Sequence, residues 1–350
     1  MNDAKHILLG TPFDPELSPG ARNAIECCLR IQPDEKVTLI TDHACQEIAA
    51  SIADQLRRRG LVFNAWILEE LAPRPLKDMP QPVLDDMESS DVSIFAVRAQ
   101  TNELRTRMQM TDVVNRRRMR HAHMVNIDRR IMLEGMRADF EEVDRISTQV
   151  WQMAGAARQI RATNPAGTDL VADFTPRLKW IKTSGIISPN KWGNLPGGET
   201  FTTPLNVNGV FVVDGVVGDY LCEKYGDLAA APLTLRIRDG RLVEAHSENR
   251  QLEEDFWRYC HTDENSDRVG EFAIGTNIAV RDVIGNILQD EKIPGIHIAF
   301  GNPYGAHTGA DWYSSTHIDV VGRRFDIWID GLQIMRTGAF LLASLVPAAV

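Results

Sequence analysis

Lys36-Val37-Thr38-Leu39-Ile40-Thr41 is a short apolar run ending at Asp42, and the pattern that follows it decides the fold. From His43 to Arg59 the apolar residues Ile48, Ile52 and Leu56 recur at helical spacing, and Gly60 stops the pattern. Asp42 is expected to cap that helix. Strand-like runs return at Leu61 to Leu68, at Asp91 to Val97 and at His123 to Ile127, with a helical stretch from Asn102 to Arg118 before the last. Strands alternating with helices predict parallel pairing through right-handed crossovers, hence an α/β N-terminal domain with an open, largely parallel sheet. A long helix, Arg137 to Gln159, with Phe140, Val143, Ile146, Val150 and Met153 at helical spacing, is expected to close this half. No G-x-G-x-x-G follows the first strand and no G-x-x-x-x-G-K-[ST] occurs, so the sheet carries no nucleotide signature. An α/β sheet alone says nothing about function.

From Arg161 onward the chain changes character, becoming rich in Gly, Pro, Thr and Val with short β-like runs. Leu235-Arg236-Ile237-Arg238-Asp239-Gly240-Arg241-Leu242-Val243 alternates around an Asp-Gly pair, a strong hairpin signal. Asp330-Gly331 repeats the device between Phe325 and Ile334, and Gln251 to Cys260 reads as one intervening helix. The expected organisation is an α/β domain over residues 1–160 and a β-rich α+β domain over residues 161–350.

Composition narrows the function. The 350 residues are 43% hydrophobic and 25% charged, which is ordinary globular usage. The net charge of −10 argues against attraction to nucleic acid or to an anionic membrane. Of two basic runs, Arg57-Arg58-Arg59 reads as a helix end, and Arg116-Arg117-Arg118-Met119-Arg120 as a solvated helix face or a subunit contact in preference to a phosphate- or carboxylate-binding patch. The five cysteines include no C-x-x-C pair and are expected to be free thiols in a reducing compartment. No signal peptide and no spanning apolar run is visible, which makes the cytoplasm the expected location.

Nine histidines occur, and two stand out. His317 opens the H-x-D sequence His317-Ile318-Asp319, which on a strand points an imidazole and a carboxylate to the same face. His297 lies in a second strand-like run, Gly295-Ile296-His297-Ile298-Ala299-Phe300-Gly301. Two histidines and one carboxylate suffice for zinc, iron or manganese, although two core histidines and a surface Asp would give the same pattern. Glu271, in the apolar run Val269-Gly270-Glu271-Phe272-Ala273-Ile274, is costly to bury unless paired or metal-bound. Glu199 closes the turn Asn194-Leu195-Pro196-Gly197-Gly198-Glu199. His121 and His123 could form a strand-face pair but have no third ligand nearby and read as structural.

These motifs, in this order and at this spacing, resemble the aminopeptidase T family of thermophilic metallo-aminopeptidases. The resemblance covers most of the C-terminal half. It implies a dimeric metallohydrolase that binds two divalent ions (zinc, cobalt or manganese) through Glu199, Glu271, His297, Tyr304, His317 and Asp319. Tyr304 follows His297 by seven residues, as the family pattern requires. The implied substrate is a short peptide or related small amide, attacked by metal-activated water. Glu199 or Glu271 would bridge the ions or act as general base, and Tyr304 would ligate or donate to the oxyanion. The chain departs from the family's aminopeptidases in being shorter, especially before the first glutamate. A related branch, the 2,5-dihydroxypyridine 5,6-dioxygenases, matches it in length and holds one Fe(II). That branch keeps the final H-x-D but has His where this chain has Glu271. It also lacks counterparts of Glu199 and His297. Trp192 (beside Lys191), His307 and Trp312 are candidates for a substrate wall, with core packing an equal reading for the tryptophans.

Overall fold

A computed structural model describes residues 3–189 and 192–342. The chain forms two compact units. One comprises the residues up to Glu141 together with Gly185–Gly197; the other comprises Glu142–Ser184 together with Gly198 onward.

In the first unit, β1 (Lys36–Thr41), β2 (Val62–Ile67), β3 (Val92–Val97) and β4 (Arg120–Val125) form a parallel sheet in the order β2-β1-β3-β4. The two-residue strand Gly193–Asn194 extends the β4 edge. The connecting helices are α1 (Gln46–Arg58), α2 (Gln81–Glu88) and α3 (Leu104–Arg117). β3 is buried along its whole length, as a central parallel strand covered on both faces must be. Ile48, Ile52 and Leu56 are buried on α1, as their spacing requires. Asp42 does not cap α1, which starts at Gln46. Its Oδ1 accepts from the Cys45 N–H at 2.8 Å, and its Oδ2 accepts from Arg74 at 2.6 Å and from the Arg98 N–H at 2.7 Å. A fully buried carboxylate at a strand end needs such partners more than the helix needs a cap. The fourth strand begins three residues earlier than expected, so that His121 and His123 pair in register with Ser93 and Phe95 inside the sheet.

The second unit holds two antiparallel sheets. The larger has eight strands, including Gln159–Thr163, Asp169–Asp173, Asn206–Val213 and both expected hairpins. Leu233–Arg238 and Arg241–His246 turn at Asp239 and Gly240, which take φ of 51° and 72°. Two positive φ values in a two-residue loop match the strand twist, which is why Asp-Gly signals this turn. Asp326–Ile329 and Leu332–Arg336 turn in the same way at Asp330-Gly331. The smaller sheet has five strands: β5 (Ile181–Thr183), β6 (Glu199–Thr202), β7 (Val269–Gly275), β8 (Gly295–Gly301) and β9 (His317–Val321), ordered β9-β8-β7-β6-β5.

The expected boundary near residue 160 differs from the division observed. The long helix, α4 (Phe140–Gly155), is shorter than expected at both ends and starts beside the division at 141/142. Its residues Ile146, Val150 and Ala154 join the core of the second unit, which is what draws the helix into it. Gly185–Gly197 returns to the first unit, where residues 193–194 pair with β4. Among the described residues no helix is long and apolar enough to cross a membrane. All five cysteines are free thiols.

Candidate metal centre

Side chains of the smaller sheet sort by parity. Phe272, Ile274, Ile296, Ile298, Phe300, Ile318 and Val320 belong to the core of the second unit. Glu271, His297, His317 and Asp319 therefore project from the opposite face, since successive residues of a strand alternate. Register brings them together: Ala273 lies across from His297, Ala299 lies across from both Glu271 and Asp319, and Gly301 lies across from His317. The small residues leave room between the polar ones. The β7–β8 ladder slips between Val269 and Glu271, a bulge that re-aims Glu271. Glu199 enters from β6, opposite Gly275.

The result is a buried cluster of acids and imidazoles. His297 Nε2 is 3.4 Å from Glu199 Oε2 and 3.4 Å from Glu271 Oε1. His317 Nε2 is 3.8 Å from Glu271 Oε2 and 3.4 Å from Asp319 Oδ1. His317 Nδ1 lies 3.0 Å from the Asn302 carbonyl, so Nδ1–H donates there and Nε2 is free to face the acids. Three sets have ligand atoms close enough to hold one ion: Glu199–Glu271–His297, Glu271–His317–Asp319 and Glu291–His297–Asp319. Both ring nitrogens of His297 are buried without a hydrogen-bond partner. Orphaned imidazole nitrogens among carboxylates are costly as they stand and are what a metal ligand looks like without its ion, so these residues fit a divalent cation.

The electrostatics follow from the crowding. Burial opposes protonation of His297, but the Glu271 contact and the charges of Glu199, Glu271 and Asp319 outweigh it and lift its pKa to about 9. His317 is lifted to about 10 against the same burial, first by Asp319 and then by Glu271. Burial, then the charges of Glu199 and Asp319, push Glu291 up to about 8 despite Lys292. Glu199 moves the other way: burial would raise it, but Lys292 and His297 hold it below the usual carboxylate range.

Of the residues expected at the site, Glu199, Glu271, His297, His317 and Asp319 are brought together. Tyr304 stands beside them, its ring centroid 4.5 Å from that of His317. Its backbone is left-handed, with φ 48° and ψ 48°. Although the residue is 41% exposed, burial of the phenol and the charges of Glu271 and Asp319 push its pKa well up. His307 lies on the exposed side of the short helix Gly305–Thr308. Trp312 packs over the Arg268 guanidinium, 4.2 Å from ring centroid to carbon. Trp192 belongs to the first unit, its ring centroid 5.4 Å from that of His123 and 6.0 Å from that of His121; Lys191 lies outside the described residues. His121 and His123 join no metal-binding set among the described residues. Instead His121 Nδ1 is 2.7 Å from Ser93 Oγ and its Nε2 is 3.2 Å from His123 Nδ1.

Two participants were not expected. Glu291 and Lys292 sit in Asp290-Glu291-Lys292-Ile293, a charged run that reads as a solvated turn. Only their place directly before the His297 strand hinted at anything else.

The match to known proteins now has a geometry to attach to. The family described as thermophilic metalloprotease (M29) matches residues 140–323, a span that contains every residue of the cluster. This chain belongs to the thermophilic metalloprotease family. Membership carries a metal-dependent peptidase as the coarse reading. Among the solved structures that share the fold are the following two. Wild-type AmpT from Thermus thermophilus aligns with a TM-score of 0.67 and 18% identity, over 94% of this chain and 100% of that one. 2,5-Dihydroxypyridine dioxygenase from Pseudomonas putida KT2440 aligns with a TM-score of 0.66 and 13% identity, over 93% of this chain and 96% of that one. At such identities the likeness is one of fold. No curated protein sequence matches significantly.

Proposed function

We propose that this member of the thermophilic metalloprotease family is an aminopeptidase or amidohydrolase acting on short peptides or related small amides at a two-position metal centre. The observation that carries the reading is that two ligand sets overlap at Glu271, beside an imidazole with no other partner. Glu199, Glu271 and His297 would hold one ion, and Glu271, His317 and Asp319 the other. Zinc, cobalt or manganese bound there would supply Lewis acidity and a water acidic enough to ionise near neutral pH.

The protein's own groups do the rest. Asp319 and the Asn302 carbonyl orient His317. Glu199 offers one oxygen only, because its Oε1 already accepts from Lys292 Nζ at 2.7 Å and from Thr183 Oγ1 at 3.0 Å. Burial and the neighbouring charges of Glu199 and Asp319 raise the Glu291 pKa, which would suit it to deliver a proton to a leaving amine. Tyr304, whose raised pKa keeps the phenol protonated, would donate to the oxyanion of an attacked carbonyl.

The test is elemental analysis after equilibration with zinc, cobalt or manganese, followed by assay on aminoacyl anilides and dipeptides. Two ions per chain with aminoacyl release is the expected result. One iron per chain with oxygen uptake on 2,5-dihydroxypyridine would overturn it in favour of ring cleavage.

A further inference from the structure

Five residues before His297 the chain buries a lysine. Lys292 is 1% exposed, and its ammonium sits 2.7 Å from Glu199 Oε1 and against Glu291 Oε1. Backbone packing fixes it there. Gly275 faces Glu199 across the β6–β7 ladder, and a Cβ at Gly275 would lie 2.0 Å from the Ile293 carbonyl oxygen. The Lys292–Ile293 segment can cross at this level only because the strand carries glycine. The Asn277 N–H, donating to the Lys292 carbonyl at 3.0 Å, ties the crossing down.

The two ion positions are therefore unequal. The set Glu271–His317–Asp319 includes no carboxylate paired with the ammonium. In the set Glu199–Glu271–His297, Glu199 is already paired, and Oε2, which faces His297 at 3.4 Å, is the atom left for an ion. An ion bound through Oε2 would meet a fixed positive charge on the far side of the same carboxylate. In a buried site such repulsion is weakly screened.

We infer that Lys292 makes the centre asymmetric: Glu271, His317 and Asp319 hold one divalent ion tightly, while Glu199, Glu271 and His297 hold a second that exchanges. The inference rests on the two-position reading above. Lys292 acts through Glu199 and is a positioning residue.

The experiment is calorimetric titration of metal-stripped full-length chain with manganese or cobalt, with ion content measured again after gel filtration. Wild type should take up two ions in separate steps, with Kd values roughly tenfold or more apart, and should keep one ion after filtration. Lys292→Met and Lys292→Gln should tighten the weaker step by a similar factor. A lysine that only supports the fold would, on removal, loosen both steps. Glu199→Gln should erase the weaker step alone, and this variant decides the matter if the lysine variants fail to fold. Equal steps in wild type, a single step, loosening of both steps in the lysine variants, or loss of the tight ion in Glu199→Gln would each overturn the asymmetry. A wild-type chain that binds no ion would overturn the metal reading itself, and the asymmetry with it.

Discussion

Glu271 presents its Oε1 to His297 Nε2 at 3.4 Å and turns its other oxygen towards a second imidazole, that of His317. Asp319 also lies near both rings, 3.4 Å from His317 Nε2 and in one ligand set with His297, but Glu271 offers a separate oxygen to each. Glu271→Ala should therefore remove both ions, whereas His317→Ala or Asp319→Ala should remove one and leave the chain folded. Elemental analysis beside circular dichroism reads both effects. Full metal content in Glu271→Ala would show that the residue is no ligand.

Tyr304→Phe keeps the ring that packs on His317 and deletes only the hydroxyl. Loss of one oxyanion donor lowers kcat by roughly 10²- to 10³-fold. Metal content and KM should change little. A variant with wild-type kcat would place the phenol outside the reaction.

Glu291→Gln removes an acid whose raised pKa suits it to carry a proton, while preserving its shape. We expect kcat to fall by roughly 10²-fold, within the range of general acid–base assistance. The loss should be smaller for anilides with good leaving groups than for dipeptides. An equal loss on both substrate types would assign Glu291 a purely structural part.

Acid and imidazole crowding sets a pH dependence for metal-free protein. His297 and His317 have folded pKa values of about 9 and about 10, above the unfolded value near 6.5. Their protonation contributes stability that is fully present below pH 6.5 and is lost as pH rises towards 9 and 10. Metal must displace these protons, so affinity should rise with pH over the same window. Thermal unfolding of metal-stripped protein from pH 6 to 10, with metal titrations in parallel, checks both slopes. Flat profiles would contradict the arrangement.

His123 runs the opposite way. Burial, with Arg107 nearby, pushes it down to about 3, and His121 is likewise pushed down by burial and by His123. Both stay neutral in the fold while the unfolded chain protonates near pH 6.5. Stability is therefore complete above pH 6.5 and declines below it, by up to about 1.4 kcal/mol per pH unit for each ring. Denaturant unfolding at pH 7, 6 and 5 should show the decline in wild type and a shallower one in His123→Phe.

Much of this was readable along the chain because it is local. Helical spacing at Ile48, Ile52 and Leu56, the two Asp-Gly turns and the H-x-D of His317 and Asp319 depend on neighbours within a few residues. So did the choice of Glu271, an acid in an apolar strand, because its burial cost is visible in the sequence itself. Element ends were less legible. Asp42 reads as a cap until Arg74, 32 residues away, takes its carboxylate.

By itself, the amino-acid sequence determined the alternating α/β first half, the β-rich second half and five of the acids and imidazoles of the centre. Period-two alternation on three strands was enough to put Glu271, His297, His317 and Asp319 on faces that could converge. Only the tertiary structure decided that Glu271 stands between the imidazoles, since that depends on strand register and on a bulge after Val269. It alone brought Glu291 and Lys292 inside, through a backbone crossing at Gly275 that no local pattern announces. Alternation is written into each strand, whereas register and crossings are settled between segments far apart in the chain.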